Sequence, residues 1–155
     1  MSPVPGRVPE AVMNADLLHS TGVFAYAIAL APAVAHAAEM PRKLPMSEED
    51  YFAVQRLYKG WALFGIAEAA ALVAAALLAV DQIGTARFMP ALFAVLASIA
   101  ALAVFFTFVL PANTATRDWT VSTEHWERQR RRWEYGHAAR GAVLLAGLVF
   151  LLFAR

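Results

Sequence analysis

Residues 88–110 read FMPALFAVLASIAALAVFFTFVL, a run with no ionisable side chain and only Ser98 and Thr107 as hydroxyls. Roughly 20 helical residues cross a hydrocarbon core of ~30 Å, so this run reads as a membrane span. Residues 61–80, before it, repeat the pattern with alanine in place of many larger side chains, broken by Glu68. Residues 17–38 and 133–154 supply two further stretches of spanning length. Composition agrees: 60% of the 155 residues are hydrophobic and 16% charged, against about 45–50% and about 25% in soluble domains. The expected architecture is all-α, a four-helix transmembrane bundle forming one integral membrane domain over residues 1–155.

Several function classes drop out at once. Net charge is +1, and neither a Gly-rich phosphate loop nor a basic–aromatic motif is present, so nucleic acid is not an expected partner. There is no cysteine, which removes disulfides, thiolate metal sites, iron–sulfur clusters and cysteine nucleophiles. Any metal would need histidine and carboxylate ligands.

The loops differ in charge. Loop one, residues 39–60, carries Arg42, Lys43, Arg56 and Lys59, and loop three, residues 111–132, carries Arg117, Arg128, Arg130, Arg131 and Arg132. The other segments hold single arginines, Arg7, Arg87 and Arg155. The positive-inside rule puts loops one and three in the cytoplasm and both termini outside, periplasmic in a bacterial inner membrane. Ala33-Val34-Ala35 resembles a signal-cleavage site, but Arg7 is opposed by Glu10 and Asp16 where a basic n-region belongs. The first stretch is therefore expected to stay as a span.

Both basic loops have the makings of short interfacial helices. Ser47 followed by Glu48, Glu49 and Asp50 is a helix start, with a hydroxyl N-cap and acids in the first turn. Trp119, Trp126 and Trp133 recur every seven residues amid arginines. On one helix they would share a face at headgroup level.

Ionisable groups inside spans are costly, about 2.5–3.5 kcal/mol each even on insertion scales, and so mark sites. Span one ends in His36 and Glu39, three apart and on one face. Span two holds Glu68. Span three ends at Pro111 and Asn113. Span four needs residues back to about Trp133 to complete a crossing before Arg155, which draws Glu134, His137 and Arg140 to membrane depth. The topology brings these ends to one face. His36-x-x-Glu39 opposite Glu134-x-x-His137 partly matches the carboxylate-bridged metal bundles, so His36, Glu39, Glu134 and His137 are candidate metal ligands. The pattern is incomplete, because span three offers no acid and the first pair is reversed. His36 and His137 are also candidate axial ligands of a haem. The alternative is a polar cluster of ion pairs that ties the helices together. His19 and Asp16 read as boundary residues, and Tyr58, Lys59 and Trp61 as an interfacial anchor.

The segment Phe105-Phe106-Thr107-Phe108-Val109-Leu110-Pro111-Ala112-Asn113, followed by a tryptophan-bearing loop and Arg132-Trp133-Glu134-Tyr135-Gly136-His137-Ala138-Ala139-Arg140, resembles the anthrone oxygenase-like family of small four-helix membrane proteins. The shared pattern, a Pro-x-Asn after span three and a Trp followed by His-x-x-Arg opening span four, falls on Pro111, Asn113, Trp133, His137 and Arg140. The resemblance implies oxidation of an anthrone-like compound without a conventional cofactor. It makes His137 the candidate base, since imidazole titrates near neutrality. Asn113 or Arg140 would stabilise the oxyanion, with Glu68 a further catalytic candidate. His36 and Glu39 lie outside the pattern.

Three function classes fit this sequence: a membrane-embedded monooxygenase of a small aromatic or lipophilic compound, a non-catalytic subunit of a homo-oligomer or larger membrane complex, and a proton path or small transporter using Glu68. All share the lipid bilayer as a partner.

Overall fold

The computed structural model describes residues 10–155, with side chains from residue 15 onward. Every regular element among them is helical: α1 (Glu10–Lys43), α2 (Glu48–Gln55), α3 (Phe64–Asp81), α4 (Phe88–Val104), α5 (Leu110–Thr116) and α6 (Trp126–Leu152). Four helical segments are long and apolar enough to cross a membrane, Ala15–Lys43, Trp61–Asp81, Phe88–Thr116 and Trp126–Leu152. The first runs beyond the expected end at residue 38, through Pro41 to Lys43. The last begins seven residues before Trp133.

The spans form a square. α1 packs on α3 and α6, and α4 packs on the same two. Alanine lines the contacts, with Ala25, Ala29, Ala33, Ala71, Ala75, Ala91, Ala94 and Ala101 all buried. Side chains this small let helix backbones approach where water supplies no hydrophobic drive. The large apolar residues point outward instead, among them Ile66, Val73, Leu77, Phe93, Leu96, Ile99 and Phe106. Small and polar inside with large and apolar outside is the arrangement expected when lipid is the solvent.

Each diagonal of the square is bridged by a polar contact. Tyr26 of α1 donates to the Ala94 carbonyl of α4 at 2.5 Å and also meets the Ser98 hydroxyl. Arg140 of α6 is hydrogen-bonded and ion-paired to Glu68 of α3. Within α1 the buried positions His19, Gly22, Tyr26, Ala29, Ala33, His36 and Lys43 follow a seven-residue seam. Every buried polar side chain among the described residues of that helix lies on it.

Span three carries a defect. Residues Phe105–Val109 form a π-helical turn, where the Leu110 N–H reaches the Phe105 carbonyl five residues back. Pro111 has no N–H for the carbonyl four residues back, Thr107. Arg132 of α6 supplies the missing donor, Nη2 to the Thr107 oxygen at 2.9 Å.

Loop one contains the expected short helix, α2, whose N-cap Ser47 accepts from the Asp50 N–H. Loop three departs from the single tryptophan-faced helix. After α5, Arg117, Asp118 and Trp119 all adopt left-handed backbone, with φ of 47°, 53° and 62°. Side-chain-bearing residues rarely take that conformation. A knot of hydrogen bonds holds it: Asp118 N–H to the Asn113 carbonyl at 2.8 Å, Trp119 N–H to the Thr116 hydroxyl at 3.1 Å, and the Trp119 indole to Asn113 Oδ1 at 3.1 Å. The turn buries Trp119 beside Tyr51 and Trp133, at centroid distances of 5.0 and 6.2 Å. The three tryptophans thus gather through a turn, with only Trp126 and Trp133 on the helix.

Candidate functional site

At the bundle end that carries loops one and three, α1 and α6 present their polar seams to each other. His36 and His137 face across the gap with ring centroids 4.5 Å apart. Both are buried. Aromatic rings wall them in: Trp133 at 4.3 Å from His137 and 4.6 Å from His36, Tyr58 at 4.5 Å and Trp61 at 5.3 Å from His36. Neither Nδ1 atom has a hydrogen-bond partner among the described residues.

Toward the loops, a buried lysine lies between two carboxylates, each of which also accepts from a tyrosine hydroxyl. Lys43 Nζ lies 3.0 Å from Glu134 Oε1 and 3.5 Å from Glu39 Oε2. The Glu134 contact is a close charge pair without hydrogen-bond alignment. Tyr51 of α2 donates its hydroxyl to the same Glu134 oxygen at 3.0 Å. Tyr58 donates to Glu39. The lysine also sits over the faces of Trp133 and Tyr58, 4.9 and 5.1 Å from their centroids, where ring quadrupoles attract a cation. Glu134 is fully buried, whereas the Glu39 side chain is 44% exposed.

Deeper in the bundle, the Arg140–Glu68 pair is buried on both sides. Arg140 also lies over Phe105 of the π-helical turn, 5.9 Å from its centroid. Arg140 Nε and Glu68 Oε1 lack hydrogen-bond partners among the described residues. Of the three buried cations, Lys43 is matched by the buried carboxylate of Glu134 and Arg140 by that of Glu68, while Arg130 donates to the Met46 carbonyl. Pairing of this kind is what allows charges at such depth.

The structure therefore brings together His36, Glu39, Glu134 and His137, and separately Glu68 with Arg140. Asn113 stands one layer away, its Oδ1 held by Trp119, which packs on Trp133. The four candidate metal ligands do not assemble as a coordination group. Among the described residues no set of three or more His, Asp or Glu side chains is placed to hold a metal ion. Lys43 stands between the two carboxylates and supplies the positive charge there. Two axial imidazoles of one haem lie on opposite faces of the porphyrin, and rings already 4.5 Å apart leave no space for one between them.

Lys43, Tyr51 and Tyr58 are the residues that motif reading passes over. Lys43 counts as a loop charge until its seven-residue spacing from His36 is noticed. Tyr58 reads as an anchor, and Tyr51 carries no signal because its partner Glu134 is 83 positions away. Two cavities lie elsewhere. One of about 330 Å³ is at the opposite bundle end, lined by Asp16, His19, Gln82 and Arg87. One of about 410 Å³ lies beside loops one and three, lined by Glu48, Phe52, Arg56 and Thr120. No family model, curated protein or solved structure matches the chain.

Proposed function

We propose that the chain is a membrane-embedded oxygenase of a small aromatic or lipophilic carbon acid, the chemistry that its resemblance to anthrone oxygenase-like proteins implies. The observation that carries this reading is the buried imidazole pair, His36 with His137, inside aromatic walls and with an unpartnered nitrogen on each ring. Flat aromatic substrates stack on such walls, and an imidazole within reach of an acidic C–H is a competent base.

The reaction balances with dioxygen as the oxidant. His137 takes a proton from an activated methylene, and the C–H electron pair stays on carbon as an enolate. Arg140 stabilises the enolate oxygen. Dioxygen adds at that carbon, the proton returns to the peroxide, and loss of the second C–H proton with cleavage of the O–O bond leaves a carbonyl and one water. Asn113 acts as a positioning residue through Trp119 and Trp133. Because the imidazoles are enclosed, substrate reaches them by displacement of the segment 56–63, two short 3-10 turns about Gly60, whose φ is +92°. Loops one and three face the cytoplasm of a bacterial inner membrane, with both termini periplasmic.

The test is oxygen uptake by the full chain in lipid nanodiscs, with anthrone and related activated phenolic methylenes as probes. We expect one dioxygen consumed per carbonyl formed. His137→Ala should lower kcat by about 10²–10⁴-fold with unchanged helicity and elution volume. Undiminished turnover in His137→Ala, or no uptake by the wild-type chain across the panel, would overturn the assignment.

A further inference from the structure

Glu39 shares Lys43 with the nearer Glu134 and lies outside the family pattern. It is the carboxylate of the cluster that meets water, 44% exposed where Glu134 is fully buried and Glu68 nearly so. Its Oε2 lies 4.0 Å from His36 Nδ1. That nitrogen is buried and has no hydrogen-bond partner among the described residues. Lys43 at 3.5 Å and the Tyr58 hydroxyl fix the carboxylate from two other sides. His36 in turn touches His137. Proton-carrying groups in close succession, His137, His36 and Glu39, therefore run from the buried pair to the surface that bears loops one and three.

We propose that Glu39 is the proton relay of this site, exchanging protons between the histidine pair and water at that one face. The placement of the groups carries the idea. A carboxylate 4.0 Å from an imidazole nitrogen needs a side-chain adjustment of about 1 Å to reach hydrogen-bond distance. Glu39 has room to make it because its side chain is 44% exposed on the rim of α1, whereas Glu134 is fully buried. In the transfer a proton leaves His36 Nδ1, its N–H electron pair stays on nitrogen, an O–H bond forms on Glu39, and water then takes the proton. No electrons move. The relay serves the base assigned above and in that sense rests on that reading, but it operates without substrate.

The experiment uses the full chain in nanodiscs with histidine ¹⁵N-labelled and no substrate present. Magnetisation transfer from water to the His36 imidazole N–H reads the exchange rate. With Glu39 present, exchange should be fast. Glu39→Gln, which keeps the shape and can still accept from Tyr58, should slow it at least tenfold. Glu39→Asp, which retains the charge beside Lys43, should fall between the two. Equal rates in the wild type and Glu39→Gln, or an Asp variant slower than the Gln variant, would overturn the relay. A failure of the oxygenase reading would appear in the turnover of His137→Ala and leave this exchange measurement untouched.

Discussion

Lys43 shows how much a single side chain decides in this molecule. It is buried against two carboxylates and two aromatic faces. Removing one partner of a buried pair leaves the other charge uncompensated, at a cost of about 3–5 kcal/mol. Lys43→Met should lower stability by that order in detergent unfolding followed by circular dichroism. Adding Glu134→Leu should restore most of the loss, because the orphaned carboxylate goes with it. A double variant no more stable than the single one would refute the pairing. The tyrosines around the lysine make a second measurable case. Burial, then the charge of Glu134, pushes the Tyr51 hydroxyl far above its ordinary value of 10.0. Burial and the bond to Glu39 do the same for Tyr58. The folded chain favours both groups protonated. Their contribution to stability is therefore complete below pH ~10, where unfolded tyrosine begins to ionise, and is lost as pH rises from there toward the folded values. In a Tyr135→Phe background, which removes the exposed tyrosine, alkaline titration should show tyrosinate absorbance appearing together with unfolding, and Tyr51→Phe should flatten the fall in stability above pH ~10. A smooth tyrosinate titration in a still-folded chain would contradict this. His36, Glu39, Glu134 and His137 are legible in the sequence as ionisable residues in apolar runs. Their partners are not, since Tyr51 and Lys43 meet Glu134 only through tertiary contact.

At the level of elements, the seams of α1 and α6 are readable while the joints are not. The seven-residue spacing of small and polar residues along α1 sits in plain view from His19 to Lys43, and α6 repeats it with Arg130, His137, Leu144 and Leu151 and with Trp133, Arg140 and Gly147. The turn at Arg117, Asp118 and Trp119 has no glycine to announce its left-handed backbone. It exists because Asn113 and Thr116 capture its N–H groups and because Trp119 finds a buried seat. A tryptophan heptad read as one helix misses it for that reason. The π-helical turn is half-announced by Pro111, while its compensating donor, Arg132, comes from another element. Close packing of the seams gives a direct comparison. A Cβ at Gly147 would lie 2.7 Å from the Tyr26 ring, whereas at Gly65 it would meet open space. Gly147→Ala should destabilise the bundle by about 1–3 kcal/mol through overpacking. Gly65→Ala should be neutral or stabilising by up to about 1 kcal/mol, from helix propensity alone. Equal unfolding midpoints for the two variants would mean that the α1–α6 approach is looser than described.

For the whole molecule, four spans follow from apolar length and alanine content, and the proposed orientation follows from charge. The structure refines the charge count behind the orientation. Lys43 is buried and paired, and Arg130 is committed to the Met46 carbonyl at 2.7 Å and to the face of Trp126. Neither is free to report on the membrane potential or on anionic headgroups. Arg42, Arg56, Lys59, Arg117, Arg128 and Arg131 remain exposed at the end with loops one and three, against Arg87 and Arg155 at the other. The bias survives the subtraction, so the proposed orientation stands on cations that water and lipid can meet. That orientation would also set the side on which the proposed relay exchanges protons, since Glu39 opens to the same end. The chain contains no cysteine, so one introduced thiol reports alone. Ala86 in the loop between α3 and α4, and Ser122 between α5 and α6, are both exposed. In intact bacterial cells a membrane-impermeant maleimide should label Ala86→Cys. It should label Ser122→Cys only after permeabilisation. The opposite pattern would invert the bundle, placing the carboxylate rim of Glu39 and its proton exchange on the periplasmic side.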